Sequence, residues 1–186
     1  MDEVDIRILG PLEAIHDGVA LPLGPPRERA LLGLLALSAG RTVSTSSIID
    51  GLWGEAVPES APKMVQIHIS HLRKVLPPDL LVTRAPGYLL DVPSGRVDVV
   101  RAEDGLRAGR EAFAHGDPRA ASRLLSGALA LWRGPALAEF SEPFAATELR
   151  RLEELQLSLA EERIDAELAL GPVSYTHLTL PTTPYV

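Results

Sequence analysis

The stretch Ala61-Pro62-Lys63-Met64-Val65-Gln66-Ile67-His68-Ile69-Ser70-His71-Leu72-Arg73-Lys74-Val75-Leu76 decides the fold of this chain. Its apolar residues recur at helical spacing, so one side of a predicted helix is an unbroken stripe of Ala61, Val65, Ile69, Leu72 and Leu76. The opposite side carries Lys63, Ile67, Ser70 and Lys74, flanked by Gln66, His71 and Arg73. The stretch contains no aspartate or glutamate. It therefore predicts a helix that buries one face and presents a basic, polar face to a partner.

The positive charge of the chain is concentrated around this helix. The 186 residues have a formal net charge of −7. Residues 24–90 hold seven basic and five acidic residues, whereas residues 1–23 and 91–186 have net charges of −4 and −5. Both lysines of the chain lie on the polar face of the predicted helix. This distribution favours a nucleic-acid contact over the alternative, a basic face that is only solvated.

The composition argues against several classes of protein. The chain has no cysteine, which excludes disulfides, thiolate metal sites and a cysteine nucleophile. The start Met1-Asp2-Glu3-Val4-Asp5 lacks the basic and apolar regions of a signal peptide. No apolar run approaches the length of a membrane span. We therefore expect a cytoplasmic protein that does not associate with a membrane.

The motifs of catalysis and of cofactor binding are missing from the sequence. It has no phosphate-binding glycine loop, no dinucleotide fingerprint and no nucleophile elbow. His68 and His71 are three residues apart on the predicted helix, but no carboxylate near them in sequence completes a metal site with them. The pairs Glu153-Glu154 and Glu161-Glu162 lie side by side on a helix and point apart. The sequence predicts no catalytic residue, no cofactor and no metal.

The elements around the helix predict a winged helix-turn-helix. Short β-prone runs separated by turn signals predict an antiparallel meander over residues 4–8, 12–15 and 19–23. Two helices follow, over residues 25–38 and from an N-cap at Ser44 to Trp53. Beyond the quoted stretch, a hairpin is predicted around the turn Arg84-Ala85-Pro86-Gly87. Three helices and a terminal hairpin are typical of a winged helix, with Arg84 at the tip of the wing.

Several strings in the first ninety residues resemble the AfsR/SARP family of actinobacterial antibiotic-pathway regulators, and they occur in the family's order. They are Arg7-Ile8-Leu9-Gly10-Pro11-Leu12-Glu13, Arg29-Ala30-Leu31-Leu32, Leu52-Trp53-Gly54, His71-Leu72-Arg73-Lys74-Val75-Leu76 and Pro86-Gly87-Tyr88-Leu89-Leu90. The resemblance implies an OmpR/PhoB-type DNA-binding domain, a winged helix preceded by a small sheet. One departure is the link Pro77-Pro78-Asp79, which is shorter than the family leads us to expect.

Residues after Arg96 look like the BTAD domain that follows the winged helix in this family. The resemblance is carried by Gly116-Asp117-Pro118-Arg119-Ala120-Ala121 and by Ala128-Leu129-Ala130-Leu131-Trp132-Arg133-Gly134. It implies helices that pair like tetratricopeptide units, and we expect them over residues 98–114, 118–132 and 144–170. A generic helical bundle is the alternative, because a single unit shows no internal repeat.

The expected protein is therefore of the α+β class and has two parts. Residues 1–95 would form the β-meander and the winged helix-turn-helix, and residues 96–171 the first part of an all-α, tetratricopeptide-like BTAD domain. Residues 172–186 contain four threonines, three prolines and no alanine, glutamate or arginine. They resemble translated vector sequence, so we expect an artefactual tail and a natural BTAD domain that continues past Gly171.

The candidate DNA contacts follow from the helix face and the predicted wing. The contacts expected in the major groove are Lys63, Gln66, Ile67, Ser70, His71, Arg73 and Lys74. Gln66 is the best reader of adenine, and Ile67 suits a thymine methyl group. The contacts expected with phosphate are Arg27, Arg29 and Arg84, together with Ser44 and Thr45 at a helix start. With about six phosphates neutralised, the logarithm of affinity should fall against that of salt with a slope near −5.

The family resemblance also implies partners. They are double-stranded DNA with direct repeats at the promoter of a secondary-metabolite gene cluster, a second copy of the chain on that DNA, and RNA polymerase holoenzyme. Glu55 and Glu59, in the loop before the recognition helix, would suit a basic polymerase surface, or the loop could have no partner. Two other functions stay open: a protein-interaction adaptor that uses the BTAD helices, and the N-terminal fragment of a larger, ATPase-containing regulator.

Overall fold

The computed structural model describes residues 4–171, and the chain begins there with a three-stranded antiparallel sheet. Its strands are β1 (Val4–Arg7), β2 (Glu13–His16) and β3 (Val19–Ala20), in the order β1-β2-β3. Val4 and Ile6 alternate inward along β1, as expected of a sheet with one buried face. Asp17 and Gly18 turn the chain between β2 and β3 with positive φ angles of 49° and 81°. The predicted meander is confirmed.

Three helices follow the meander: α1 (Pro26–Ala36), α2 (Thr45–Trp53) and α3 (Ala61–Val75). Helix α1 supplies the centre of the core, since every residue from 30 to 36 is buried. Ser44 caps α2, because its hydroxyl accepts a hydrogen bond from the Ser47 N–H at 3.0 Å. Gly54 ends α2 with a φ of 57°. Helix α3 has the predicted boundaries to within a residue and buries the predicted stripe.

A second antiparallel sheet contains β4 (Thr42–Ser44), β5 (Leu81–Arg84) and β6 (Gly87–Leu90), in the order β4-β6-β5. Strands β5 and β6 form the predicted hairpin, and the short link before it accommodates a φ of 67° at Asp79. The segment at Thr42 is the third strand of this sheet and pairs with β6. Gly87 permits this pairing, because a β-carbon there would overlap the carbonyl oxygen of Val43.

The rest of the described chain is helical, with α4 (Asp98–Ala114), α5 (Pro118–Leu129) and α6 (Pro143–Ala169). The carboxylate of Asp117 caps α5 by accepting from the Ala120 N–H at 2.9 Å. Helices α4 and α5 pack closely because α4 has glycine at the contact: a β-carbon on Gly105 would lie 2.6 Å from that of Ala128. Helix α5 ends three residues earlier than predicted.

One cluster of buried apolar side chains runs through both the winged helix and the helical part. Strand β1 also meets the start of α4 through a parallel bridge between Ile6 and Val97. The fold is therefore the expected α+β class, with small antiparallel sheets followed by helices. Within residues 4–171, no helix is long and apolar enough to cross a membrane. The expected artefactual tail, residues 172–186, lies outside the described residues.

Candidate nucleic-acid interface

The outer face of α3 presents polar and basic side chains to solvent. Its exposed residues are Lys63, Gln66, Ile67, Ser70, His71, Arg73 and Lys74. Ile67 is an apolar residue on this face and is 43% exposed. The face exists because the buried stripe fixes the rotation of α3 against α1 and α2. This surface has the shape and chemistry of a helix that enters a major groove.

The wing lies beside the end of α3, and Arg73 joins the two. The Arg73 Nε donates to the carbonyl oxygen of Leu81 at 2.8 Å, and an Nη donates to Thr83 Oγ1, also at 2.8 Å. The guanidinium therefore holds strand β5 against the helix. Arg84 ends that strand and is exposed at the turn. Arg73 therefore positions the wing, and Arg84 is exposed at its turn.

The start of α2 is bound to the wing turn. Thr45 donates to the carbonyl oxygen of Pro86 through both its N–H, at 3.2 Å, and its hydroxyl, at 3.3 Å. The Ser44 hydroxyl is occupied as the helix cap and lies 2.8 Å from the hydroxyl of Ser46. Both expected phosphate contacts thus have structural partners. They fix the angle between α2 and the wing.

Arg27 and Arg29 do not present free guanidinium groups to DNA, contrary to the expectation from sequence. Arg27 donates to the carbonyl oxygen of Leu52 at 2.7 Å, lies 3.3 Å from a Glu142 oxygen and stacks over the Trp53 ring. Arg29 lies 2.6 Å from a Glu139 oxygen and donates to the Leu12 carbonyl at 2.9 Å. Both acids precede α6, and Glu142 is its N-cap residue. We therefore remove both arginines from the proposed phosphate contacts.

The remaining cations of the interface have no acidic partner in the part of the chain that the structure describes. Lys63, Lys74 and Arg84 are exposed and are absent from its ion pairs. Most other arginines near the junction are paired, for example Arg133 with Glu13 at 3.1 Å and Arg96 with Asp5 at 3.3 Å. Unpaired positive charge is thus retained at α3 and the wing, where it can meet phosphate.

A carboxylate lies beside the two histidines of α3, which the sequence did not reveal. Glu28 on α1 is buried, and its Oε1 lies 2.6 Å from Nδ1 of His71 and 3.6 Å from Nδ1 of His68. Glu28 is about forty residues from both histidines in the sequence, so the sequence pattern does not predict this contact. Among residues 4–171 no group of three or more His, Asp or Glu side chains has the arrangement of a metal site.

The loop between α2 and α3 carries the two acidic residues that were expected to face polymerase. Glu55 and Glu59 are both exposed, as is Val57 at 45%. The base of the loop packs against the helical part, where a β-carbon on Gly54 would lie 3.0 Å from Cγ of Pro143. The loop thus exposes two carboxylates and Val57 just before α3 begins.

The junction between the two parts depends on Asp98, which the sequence suggested only as a helix start. Its carboxylate accepts from the Ile8 N–H at 2.8 and 2.9 Å and from the Leu9 N–H at 2.9 Å. Burial raises the pKa of Asp98, although these N–H groups and the nearby Arg133 oppose that rise. A buried aspartate at the first position of a helix after a hairpin has no distinctive sequence signal.

Comparison with known protein families covers most of the chain. Residues 21–90 match the family described as "Transcriptional regulatory protein, C terminal". Residues 97–180 match the family described as "Bacterial transcriptional activator domain". The chain belongs to the AfsR/SARP family of transcriptional regulators. The second match extends into the segment that was expected to be artefactual.

Individual relatives agree with this assignment. The regulatory protein AfsR of Streptomyces coelicolor is 42% identical over 88% of the chain, and the regulatory protein DnrI of Streptomyces peucetius is 34% identical over 90%. A solved structure of Mycobacterium tuberculosis EmbR in complex with a low-affinity phosphopeptide matches 92% of the chain, with a TM-score of 0.86 and 33% identity. The chain spans 17% of the length of AfsR, 66% of DnrI and 47% of that EmbR chain.

Proposed function

We propose that this member of the AfsR/SARP family is a sequence-specific DNA-binding regulator that activates a secondary-metabolite gene cluster. The observation that carries the proposal is the outer face of α3, which keeps Lys63 and Lys74 unpaired beside the exposed Arg84 of the wing. Gln66 and Ile67 project from the same face. The cations would contact phosphate, while the amide and the apolar side chain would read base edges.

The proposed mode of action is binding to direct repeats in a promoter and recruitment of RNA polymerase. Three unpaired cations make few phosphate contacts, so one copy should bind weakly and two copies on adjacent repeats should bind usefully. The exposed acidic loop with Glu55 and Glu59 offers a polymerase a surface that stays free when α3 is in the groove. Relatives such as AfsR and DnrI, which are named as regulatory proteins, support the regulatory role.

Gel-shift titration and footprinting of the chain on its own upstream promoter region would test DNA binding. We expect the double substitution Lys63→Glu and Lys74→Glu to weaken binding by at least about a hundredfold, because it removes two phosphate contacts and introduces two repulsive charges. The matched control is Arg119→Glu with Arg123→Glu, which changes the net charge equally on exposed positions of α5.

An adaptor that uses only its helical part is the alternative function. It predicts that both double variants regulate normally in a reporter assay and that neither they nor the wild-type chain shifts promoter DNA. Retained folding, checked by circular dichroism, is required of both variants. Equal loss of DNA binding in both would mean that total charge, and not the face of α3, governs binding.

A further inference from the structure

Glu28 is a buried acid directly beneath the recognition helix α3. Its side chain is 8% exposed, and Oε1 lies 2.6 Å from Nδ1 of His71. Its other oxygen lies against Gly24, where a β-carbon would overlap it. Glutamate is rarely this buried without a partner, so the contact with the imidazole is needed to keep the carboxylate in place. One hydrogen bond thus connects a buried side chain of α1 to the exposed face of α3.

The chemistry of this hydrogen bond fixes the position of a proton. As the acceptor in the 2.6 Å contact, the Glu28 carboxylate places the proton of that hydrogen bond on Nδ1 of His71. A neutral imidazole with its proton on Nδ1 has a lone pair on Nε2. The His71 side chain is 48% exposed, and Nε2 is on the far side of the ring from the carboxylate. The neutral ring therefore presents an acceptor outward.

His68, one turn earlier on α3, does not compete for this role. Its side chain is only 15% exposed, and its Nδ1 is 3.6 Å from the same Glu28 oxygen, beyond a normal hydrogen bond. Neither ring nitrogen has a hydrogen-bond partner within the described residues. His68 therefore faces the carboxylate from inside the protein, and His71 is the imidazole that connects Glu28 to the surface.

We propose that Glu28 determines which base edge His71 reads. By holding the proton on Nδ1, the carboxylate makes Nε2 an acceptor for an exocyclic amino group, N6 of adenine or N4 of cytosine, in the major groove. Guanine O6 and N7 are acceptors themselves and are disfavoured by the same lone pair. The inference rests on the proposed function, since it requires α3 to enter the groove. Glu28 is a positioning residue that does not touch DNA.

The proton position can be measured without DNA. In 15N-detected imidazole spectra of the full chain, the His71 signal is identified as the one lost in His71→Ala, among the five histidines of the sequence. We expect the neutral ring to carry its proton on Nδ1 in the wild-type chain and to lose this preference in Glu28→Leu. A wild-type ring that carries a proton on Nε2, either alone or together with one on Nδ1, would overturn the inference.

The base preference is measured on the operator found by footprinting. Single positions are replaced by purine for adenine or 2-pyrimidinone for cytosine, which removes only the amino group. At one position of each half-site we expect the wild-type chain to lose about tenfold in affinity. His71→Ala should bind DNA with and without the amino group at that position equally well. Glu28→Leu should lose most of the wild-type preference for DNA that carries the amino group. Glu154→Leu, an exposed position on α6, is the control for loss of one carboxylate.

The outcomes separate this inference from the proposed function. If no DNA is bound by the folded wild-type chain, the proposed function fails, whatever the spectra give. If DNA is bound and His71→Ala has the wild-type pattern of sensitivity at every position, DNA binding stands and the inference is wrong. The spectra and the wild-type operator scan do not depend on whether Glu28→Leu folds, so an unstable variant leaves both decisive measurements in place.

Discussion

At the scale of single residues, the least exposed acids of this protein have the largest structural consequences. Asp98 binds two backbone N–H groups of the N-terminal segment across about ninety residues of sequence. Glu28 binds the imidazole of the recognition helix. Exposed pairs such as Arg163 with Glu167 stay on one helix and contribute little, because water screens them. Asp98 thus connects the winged helix to the helical part, and Glu28 connects α1 to α3.

Removal of the Asp98 carboxylate should destabilise the whole chain. Asp98→Ala leaves the N–H groups of Ile8 and Leu9 buried without an acceptor, at a cost of about 3 kcal/mol in the free energy of unfolding. Urea denaturation followed by circular dichroism measures the loss. Asp165→Ala, an exposed acid on α6, is the control and should change stability by less than about 0.5 kcal/mol. Equal effects at both positions would contradict the role of Asp98.

The same residue should give the stability a pH-dependent component. Burial raises the pKa of Asp98, so the folded chain holds the carboxyl proton more tightly than the unfolded chain does. The stability that this group contributes therefore grows as pH falls through the raised pKa and declines as pH rises. Asp98→Asn does not titrate, so its deficit relative to the wild type should be larger at about pH 4 than at about pH 7. A deficit in the free energy of unfolding that is the same at both pH values would contradict this prediction.

At the scale of elements, the sequence predicts what local chemistry determines. The Ser44 cap and the apolar stripe of α3 each act within a few residues, and both are as expected. The directions of Arg27 and Arg29 were not predictable, because their acidic partners are more than a hundred residues away in the chain. The contact of Glu28 with α3 was hidden for the same reason.

The first turn of α1 is consequently the point where the elements meet. Arg27 reaches the end of α2 and the N-cap residue of α6, while Arg29 reaches Leu12 and Glu139. Glu28, between them, reaches α3. Through these three adjacent side chains, α1 contacts α2, α3 and the helical part. A shift of α6 against α1 would therefore change the contacts that hold α3.

The wing should depend on the absence of a side chain at Gly87. In Gly87→Ala the new β-carbon overlaps the Val43 carbonyl, so β4 and β6 must separate or distort. We expect a loss of about 2 kcal/mol in the free energy of unfolding, together with weaker DNA binding. Gly95→Ala is the control, since a β-carbon there has no neighbour within 4 Å. Equal behaviour of both variants in urea denaturation would contradict the steric argument.

At the scale of the whole molecule, charge is divided between two tasks. Most arginines around the junction pair with acids and hold the two parts together, among them Arg27, Arg29 and Arg133. Lys63 and Lys74 on α3 and Arg84 on the wing have no acidic partner in the described residues. A count of basic residues in the sequence does not distinguish these two groups. It therefore overestimates the positive charge that each copy offers to DNA phosphates. The folded chain can offer about half as many phosphate contacts as the sequence suggested.

The salt dependence of DNA binding should reveal this division. With Lys63, Lys74 and Arg84 as the phosphate contacts, one copy on a single repeat should give a slope of about −2.7 for the logarithm of affinity against that of salt. Two copies on adjacent repeats should together give about −5.4, because the number of released counterions doubles. Gel-shift titrations on one-repeat and two-repeat DNA measure both slopes. Arg84→Ala should reduce the single-repeat slope by about 1, and Arg29→Ala should leave it unchanged because its guanidinium is held by Glu139. A single-repeat slope near −5 that falls with Arg29→Ala would mean that the junction opens on DNA and releases its arginines to phosphate.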